Sequence, residues 1–223
     1  MTRTPGYGLI VAAGQGSRFG GYKQLVPLSG KPVLIHSVKV FEHCPRVLGF
    51  VVVAPARRLA VVRRMLRSYG IRKLLGVVPG GRTRADSVRA GLAVLPDSGY
   101  VAVHDAVRPI IHATMLATGF RICAIRGAAT YGCPVNDTLK RVSGKDVLET
   151  VDRAGLVAVQ TPQFFSLELL RRAHASARRA RLRVTDDCEL VERLGIHPVW
   201  IPGPRTNIKL TTPDDLIVMQ ALT

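Results

Sequence analysis

The stretch Leu9-Ile10-Val11-Ala12-Ala13-Gly14-Gln15-Gly16-Ser17-Arg18 runs from an apolar segment into a glycine-rich turn and ends on a cation. Glycines let the backbone approach an anion closely, and successive amide N–H groups converge on it. Arg18 and Lys23 add positive charge where a polyphosphate would lie. Gly14-x-Gly16 lacks both the third glycine of a dinucleotide fingerprint and the Gly-Lys-Ser/Thr ending of a P-loop, so the turn indicates a phosphate cradle without naming its fold.

Outward from that turn, short β-branched runs alternate with segments of helical period, the pattern of a parallel sheet flanked by helices. Strands are expected over Leu9–Ala13, Gly49–Ala54, Leu74–Val78, Tyr100–His104, Ala128–Pro134 and Pro198–Ile201. Helices are expected over Pro32–His43, Arg57–Tyr69, Arg84–Leu95, Ala113–Arg126, Leu167–Arg179 and Asp186–Leu194. A last helix starts at Pro213 behind Thr212 as N-cap, with Asp214 and Asp215 suited to its dipole. The reading is one open, mostly parallel α/β domain over 1–223. The polar segment 135–159, with a turn at Ser143-Gly144-Lys145, breaks the rhythm and reads as a protruding β-arm. A lone two-stranded ribbon is marginal, so an arm of this kind implies a partner subunit.

Ligands of open α/β sheets sit at the carboxyl ends of the strands. There the chain places Gly14 to Arg18, then Gly80-Gly81-Arg82-Thr83-Arg84-Ala85-Asp86-Ser87, then Asp105-Ala106-Val107-Arg108-Pro109. Asp105 follows a mostly apolar strand, and its carboxylate should project at the mouth of the sheet. A lone carboxylate beside phosphates suits Mg²⁺; pairing with Arg108 to shape the turn is the plainer alternative. His104 reads as structural. Cations and phosphate cradles, without a spaced acid–base pair, are the equipment of phosphoryl or nucleotidyl transfer.

The composition narrows the class. With 223 residues, 47% of them hydrophobic, the chain can bury a substantial core. No apolar run reaches membrane-span length and no basic-then-apolar leader opens the chain, so a cytoplasmic location is expected. Cys44, Cys123, Cys133 and Cys188 form no C-x-x-C pair, which leaves them as isolated thiols. The net charge of +17 raises the possibility of nucleic-acid binding. Its arginines fall on helix faces, however, and aromatic residues, 5% of the chain, are not interleaved with them, so an anionic small substrate is the simpler expectation.

Over almost its whole length the chain resembles the 2-C-methyl-D-erythritol 4-phosphate cytidylyltransferases. The resemblance is carried by Ala12-Ala13-Gly14-x-Gly16-x-Arg18, Lys23-Gln24, Gly80-Gly81-x-x-Arg84-x-Asp86-Ser87-Val88 and Val103-His104-Asp105-Ala106-Val107-Arg108-Pro109. It continues through Asp137-Thr138-x-Lys140, Thr150-Val151-Asp152-Arg153, Gln160-Thr161-Pro162-Gln163-x-Phe165, Thr185-Asp186-Asp187 and Asn207-Ile208-Lys209-Leu210-Thr211.

The resemblance implies a Rossmann-like fold, a homodimer, and transfer of a cytidylyl group from CTP to methylerythritol phosphate with release of pyrophosphate. It assigns Ala12, Ala13, Gly14, Gly16, Gly81, Ser87 and Asp105 to the nucleotide, Asp105 also to Mg²⁺, and Arg18, Lys23 and Lys209 to catalysis. The acceptor falls to Arg108, Thr138, Arg153, Thr161, Thr185 and Lys209, with Arg153 crossing from the partner's arm. Gly20-Gly21-Tyr22 stand where the family usually has a longer loop with a proline before the lysine, Thr206 stands where relatives are often acidic, and Arg82 is left out of the base-binding set. A ribitol-phosphate cytidylyltransferase is the nearest alternative. A sugar-1-phosphate nucleotidyltransferase would not share the Gln160-Thr161-Pro162-Gln163 and Asn207-Ile208-Lys209 motifs, and an oxidoreductase would need an acidic ribose ligand where the chain has Ala54-Pro55-Ala56-Arg57.

Overall fold

The computed structural model describes residues 6–14, 16, 19–182 and 184–223. Arg18 lies outside the described residues. In chain order the strands are β1 (Gly6–Val11), β2 (Pro27–Leu28), β3 (Lys31–Pro32), β4 (Val47–Ala54), β5 (Leu74–Pro79), β6 (Tyr100–Asp105), β7 (Ala128–Pro134), β8 (Leu139–Ser143), β9 (Asp146–Val151), β10 (Val157–Ser166) and β11 (Val199–Pro202). The helices are α1 (Val33–His43), α2 (Leu59–Ser68), α3 (Arg84–Leu92), α4 (Ala113–Arg126), α5 (Leu167–Arg179), α6 (Asp187–Glu192) and α7 (Pro213–Leu222).

Seven strands make one sheet in the order β11-β7-β10-β6-β1-β4-β5. Neighbours are parallel except around β10, which runs antiparallel to both β6 and β7. Alternate side chains of one strand feed opposite layers, because successive Cβ atoms point to opposite faces. Leu9, Val51, Val53, Val101, Val103 and Phe165 pack with α3 and α5, whereas Ile10, Val52, Ala102 and Phe164 pack with α1, α2 and α4. Both faces are therefore apolar, and this is why runs such as Val51-Val52-Val53 lack polar alternation. Each fully buried side chain of this size contributes about 1.5–3 kcal/mol relative to an exposed one.

Register sets the site. Val11 pairs with Asp105, Ala12 N–H donates to Val53 O at 2.7 Å, and Gly80 N–H donates to Ala54 O at 2.9 Å. The chain thus leaves β1, β5 and β6 at one edge of the sheet. α3 starts there on a capping box, with Asp86 N–H donating to Thr83 Oγ1 and Thr83 N–H to Asp86 Oδ2, both at 3.0 Å. Such a cap is worth about 1 kcal/mol. At α7, Thr212 N–H donates to the Asp215 carboxylate at 2.8 Å, in keeping with the expected start.

Two features differ from the sequence reading. Val157–Ser166, for which the sequence named no separate strand and whose first residues it placed in the arm, is the ten-residue β10, inserted between β6 and β7. The ribbon also has narrower bounds than 135–159: β8 and β9 form the hairpin, with Gly144 at φ +60° in its turn, while Val157 already pairs with Pro134 in the main sheet. No helix of the described residues is long and apolar enough to cross a membrane.

Candidate active site

Two cavities meet at the carboxyl edge of the sheet. The first, of about 510 Å³, is lined by Val11, Ala12, Ala13, Gly14, Gly16, Lys23, Gln24, Gly81, Arg82, Thr83, Ser87 and Val107. The second, of about 610 Å³, includes Arg108, Gln160, Thr161, Gln163, Thr185, Glu189 and Trp200. Arg84, Asp105 and Lys209 line both. Volumes of this size accommodate small-molecule ligands.

The first cavity is built largely of backbone. Gly14 has nothing within 4 Å of a would-be Cβ, so its backbone stays open to a ligand, whereas a Cβ on Gly81 would fall 2.2 Å from Asp86 Cβ. Ser87 Oγ receives the Gly81 N–H at 3.2 Å and donates to Thr83 O at 3.0 Å, fixing the turn before α3. Gln24 is buried, and its Nε2 donates to Ala12 O at 2.7 Å and Gly14 O at 3.3 Å, pinning the glycine turn from beneath. N–H groups at the start of a helix, next to a glycine turn, form an anion cradle.

Asp105 stands at the wall between the cavities. Its Oδ2 receives Lys209 Nζ at 2.6 Å and its Oδ1 receives Arg84 Nε at 3.2 Å. Burial alone would raise its pKa, but Arg84, then Lys209 and Arg108, hold it well below the usual carboxylate range. From behind, Asp105 N–H donates to Thr161 Oγ1 at 3.0 Å, and Thr161 Oγ1 lies 3.0 Å from His104 Nδ1. Because Arg108 O can only accept, the proton of the neutral ring sits on Nε2, and the Thr161 hydroxyl donates to Nδ1. His104 is then the Nε2–H tautomer, donating to Arg108 O at 3.1 Å. Burial pushes the His104 pKa down to about 3. His104 is fully buried and lines neither cavity, as expected of a structural residue.

The Lys209 segment is tied across the wall. Leu210 N–H donates to Val107 O at 2.8 Å, Arg108 Nη1 to Asn207 O at 2.7 Å, and Asn207 Nδ2 to Thr161 O at 2.9 Å. Arg108 Nε is buried without a hydrogen-bond partner, and burial lowers the pKa of this guanidinium. At the rim of the second cavity, Thr185 N–H and Oγ1 both donate to Glu189 Oε2, at 3.0 and 3.3 Å.

The structure therefore brings Ala12, Ala13, Gly14, Gly16, Lys23, Gly81, Ser87, Asp105 and Lys209 around one cavity, and Arg108, Thr161, Thr185, Asp105 and Lys209 around the other. Thr138 and Arg153 line neither; both are exposed beside the hairpin, and Arg153 Nη1 donates to Asn136 O. Gln24, Arg82 and Arg84 also line the first cavity, although the sequence reading assigns them no role. Gln24 and Arg84 have a signal in the motifs that contain them, while Arg82 has only its place in the polar turn. Among the described residues no group of three or more His, Cys, Asp or Glu could hold a metal ion. Among the described residues Asp105 is the one carboxylate lining both cavities, and it fits a Mg²⁺ brought in on nucleotide phosphates.

A Rossmann-like sheet with a backbone-lined anion cradle and an adjoining polar cavity that shares Arg84, Asp105 and Lys209 with it defines a nucleotidyltransferase. The sequence model of the 2-C-methyl-D-erythritol 4-phosphate cytidylyltransferases matches residues 7–223. The chain is 41% identical over 216 residues to the enzyme of that name from Halalkalibacterium halodurans, a match covering 96% of this chain and 95% of the other. It is 43% identical over 224 residues to that of Pelotomaculum thermopropionicum, covering 96% and 92%. The crystal structure of 2-C-methyl-D-erythritol 4-phosphate cytidylyltransferase from Thermus thermophilus superposes with a TM-score of 0.78 at 31% identity, covering 96% and 97%. The chain belongs to the 2-C-methyl-D-erythritol 4-phosphate cytidylyltransferase family.

Proposed function

We propose that the protein transfers the cytidylyl group of CTP to 2-C-methyl-D-erythritol 4-phosphate, forming 4-diphosphocytidyl-2-C-methyl-D-erythritol and pyrophosphate. The observation that carries this reading is the wall of Arg84, Asp105 and Lys209 common to two adjoining cavities, one a backbone cradle and the other a polar cleft to which Arg108, Thr161 and Thr185 also contribute. CTP occupies the first cavity and the acceptor phosphate the second. An acceptor phosphate oxygen attacks the α-phosphorus in line; a new P–O bond forms as the bond to the leaving pyrophosphate breaks. Catalysis of this kind is positioning plus neutralisation of charge.

Ala12, Ala13, Gly14, Gly16, Gly81 and Ser87 hold the nucleotide through backbone groups, and a small cradle of this kind favours a pyrimidine. Lys23, Arg18 and Lys209 neutralise the phosphates. Lys209 reaches either substrate by exchanging its Asp105 contact for a phosphate oxygen. Asp105 would hold Mg²⁺ together with the triphosphate, and when bound the ion offsets the charge that builds up at the α-phosphorus. Arg108, whose Nε has no partner, and Thr185 face the acceptor phosphate. Thr161, its hydroxyl already shared between Asp105 and His104, forms the floor beneath them.

Thr138 and Arg153 act from the hairpin of a partner subunit in a homodimer. The exposure of Val142, Val147 and Leu148 on that hairpin, each more than half exposed, supports a covering partner. One domain over 1–223, located in the cytoplasm, completes the reading. Pyrophosphate release with Mg²⁺ tests it: turnover is expected with CTP and methylerythritol phosphate, and not with ATP, GTP or UTP. Preference for ribitol 5-phosphate as acceptor would overturn the acceptor assignment.

A further inference from the structure

Arg84, the first residue of α3, divides its guanidinium between carboxylates on two different elements. Nε meets Asp105 Oδ1 at 3.2 Å, and Nη1 meets Asp187 Oδ2 at 2.5 Å. Asp187 is 1% exposed at the start of α6 and lines neither cavity of the site. Its other oxygen lies 3.0 Å from Nε2 of His174, itself buried on α5, and its backbone N–H donates to Gln163 Oε1 at 3.3 Å. A buried carboxylate that stays ionised needs opposing charge and hydrogen bonds on all sides, and Asp187 has them. Burial alone would raise its pKa; Arg84, then His174, bring it below the usual range.

An arginine and a carboxylate left to themselves close a two-bond fork. Here Nε alone serves Asp105, while Nη1, on the other side of the guanidinium from the Nε–Nη2 edge, is held by Asp187. Asp105 Oδ2 is left to Lys209, and the carboxylate stays oriented along the wall between the cavities. We propose that Asp187, backed by His174, is a positioning residue for the transfer reaction: it anchors the Nη1 side of Arg84, aims Nε at Asp105 and thereby sets the placement of Asp105 between donor and acceptor. The proposal rests on the cytidylyl-transfer reading. It accounts for a charge pair, buried at its Asp187 end, that joins residues 103 apart in the chain.

Steady-state kinetics with CTP and methylerythritol phosphate test it on the wild type, Asp187→Asn, Arg84→Lys and the double variant. Asp187→Asn is expected to lower kcat by about tenfold or more, since misplacing a reacting geometry by about 1 Å costs up to two decades. Both KM values should stay within about threefold. Because the two residues act as one unit, the double variant should be no slower than Arg84→Lys alone, within about twofold. A residue that merely ties α3 to α6 would instead lower Tm while the folded fraction kept its wild-type kcat, and that result would overturn the proposal, as would additive losses in the double variant. If Asp187→Asn does not fold, His174→Gln decides: a kcat reduced about threefold or more with unchanged KM supports the proposal, and a wild-type kcat overturns it. A wild type that is silent with this substrate pair would overturn the reaction reading, and the positioning role with it. An active wild type beside an equally active Asp187→Asn would overturn the positioning role alone.

Discussion

Asp105 has its place because three residues from different parts of the chain converge on it. Thr161 fixes its backbone, while Arg84 and Lys209 fix its carboxylate. His104 holds the rear of this assembly as a neutral ring, and that has a consequence for stability. Its folded pKa of about 3 lies below the ordinary 6.5, so between these values the unfolded chain takes up a proton that the native protein refuses. The His104 contribution is fully present above pH 6.5 and is lost as pH falls, at up to about 1.4 kcal/mol per pH unit. Asp105 and Asp187, with depressed pKa values, add losses only at lower pH, in the carboxylate range. Urea unfolding at about pH 7.5 and about pH 5 should therefore show a loss of about 2 kcal/mol that His104→Gln reduces; an unchanged pH slope in the variant would contradict the neutral buried ring. Asp105 was legible in the sequence because a carboxylate ending an apolar run has one place to go in an open sheet. Arg84 and Asp187 as a pair were not, since nothing local signals a contact across 103 residues.

At the level of elements, the glycine turn after β1 and the capped start of α3 were legible from turn and cap chemistry alone. β10 was not. Gln160-Thr161-Pro162-Gln163 interrupts the apolar pattern in its middle, and the register shifts between Val159 and Gln163. Those polar residues serve the site: Thr161 supports Asp105, and Gln160 Oε1 receives Asn207 Nδ2 at 3.1 Å. A strand whose polar residues build a site gives up the alternation by which strands are recognised. The β8–β9 hairpin carries the prediction that belongs at this scale. Val147→Asp should shift the protein from dimer to monomer in sedimentation velocity. Arg153→Ala should raise KM for the acceptor about tenfold or more and leave that for CTP within about twofold, the loss expected for one charge-assisted contact. A monomeric wild type, or equal effects on both KM values, would contradict an acceptor clamp delivered by the partner.

For the whole molecule, the sheet order places two cavities side by side and one charged wall between them. The positive balance of 32 Lys and Arg against 15 Asp and Glu suits two phosphate-bearing substrates, whose encounter it favours through long-range attraction. In the proposed reaction an acceptor phosphate oxygen crosses this wall to attack the CTP α-phosphorus. Methylerythritol phosphate carrying ¹⁸O in its non-bridging phosphate oxygens, turned over with unlabelled CTP and Mg²⁺, tests it directly by mass spectrometry of both products. All of the label should remain in the diphosphocytidyl product and none should enter pyrophosphate. Label in pyrophosphate, or the absence of the diphosphocytidyl product, would contradict the account.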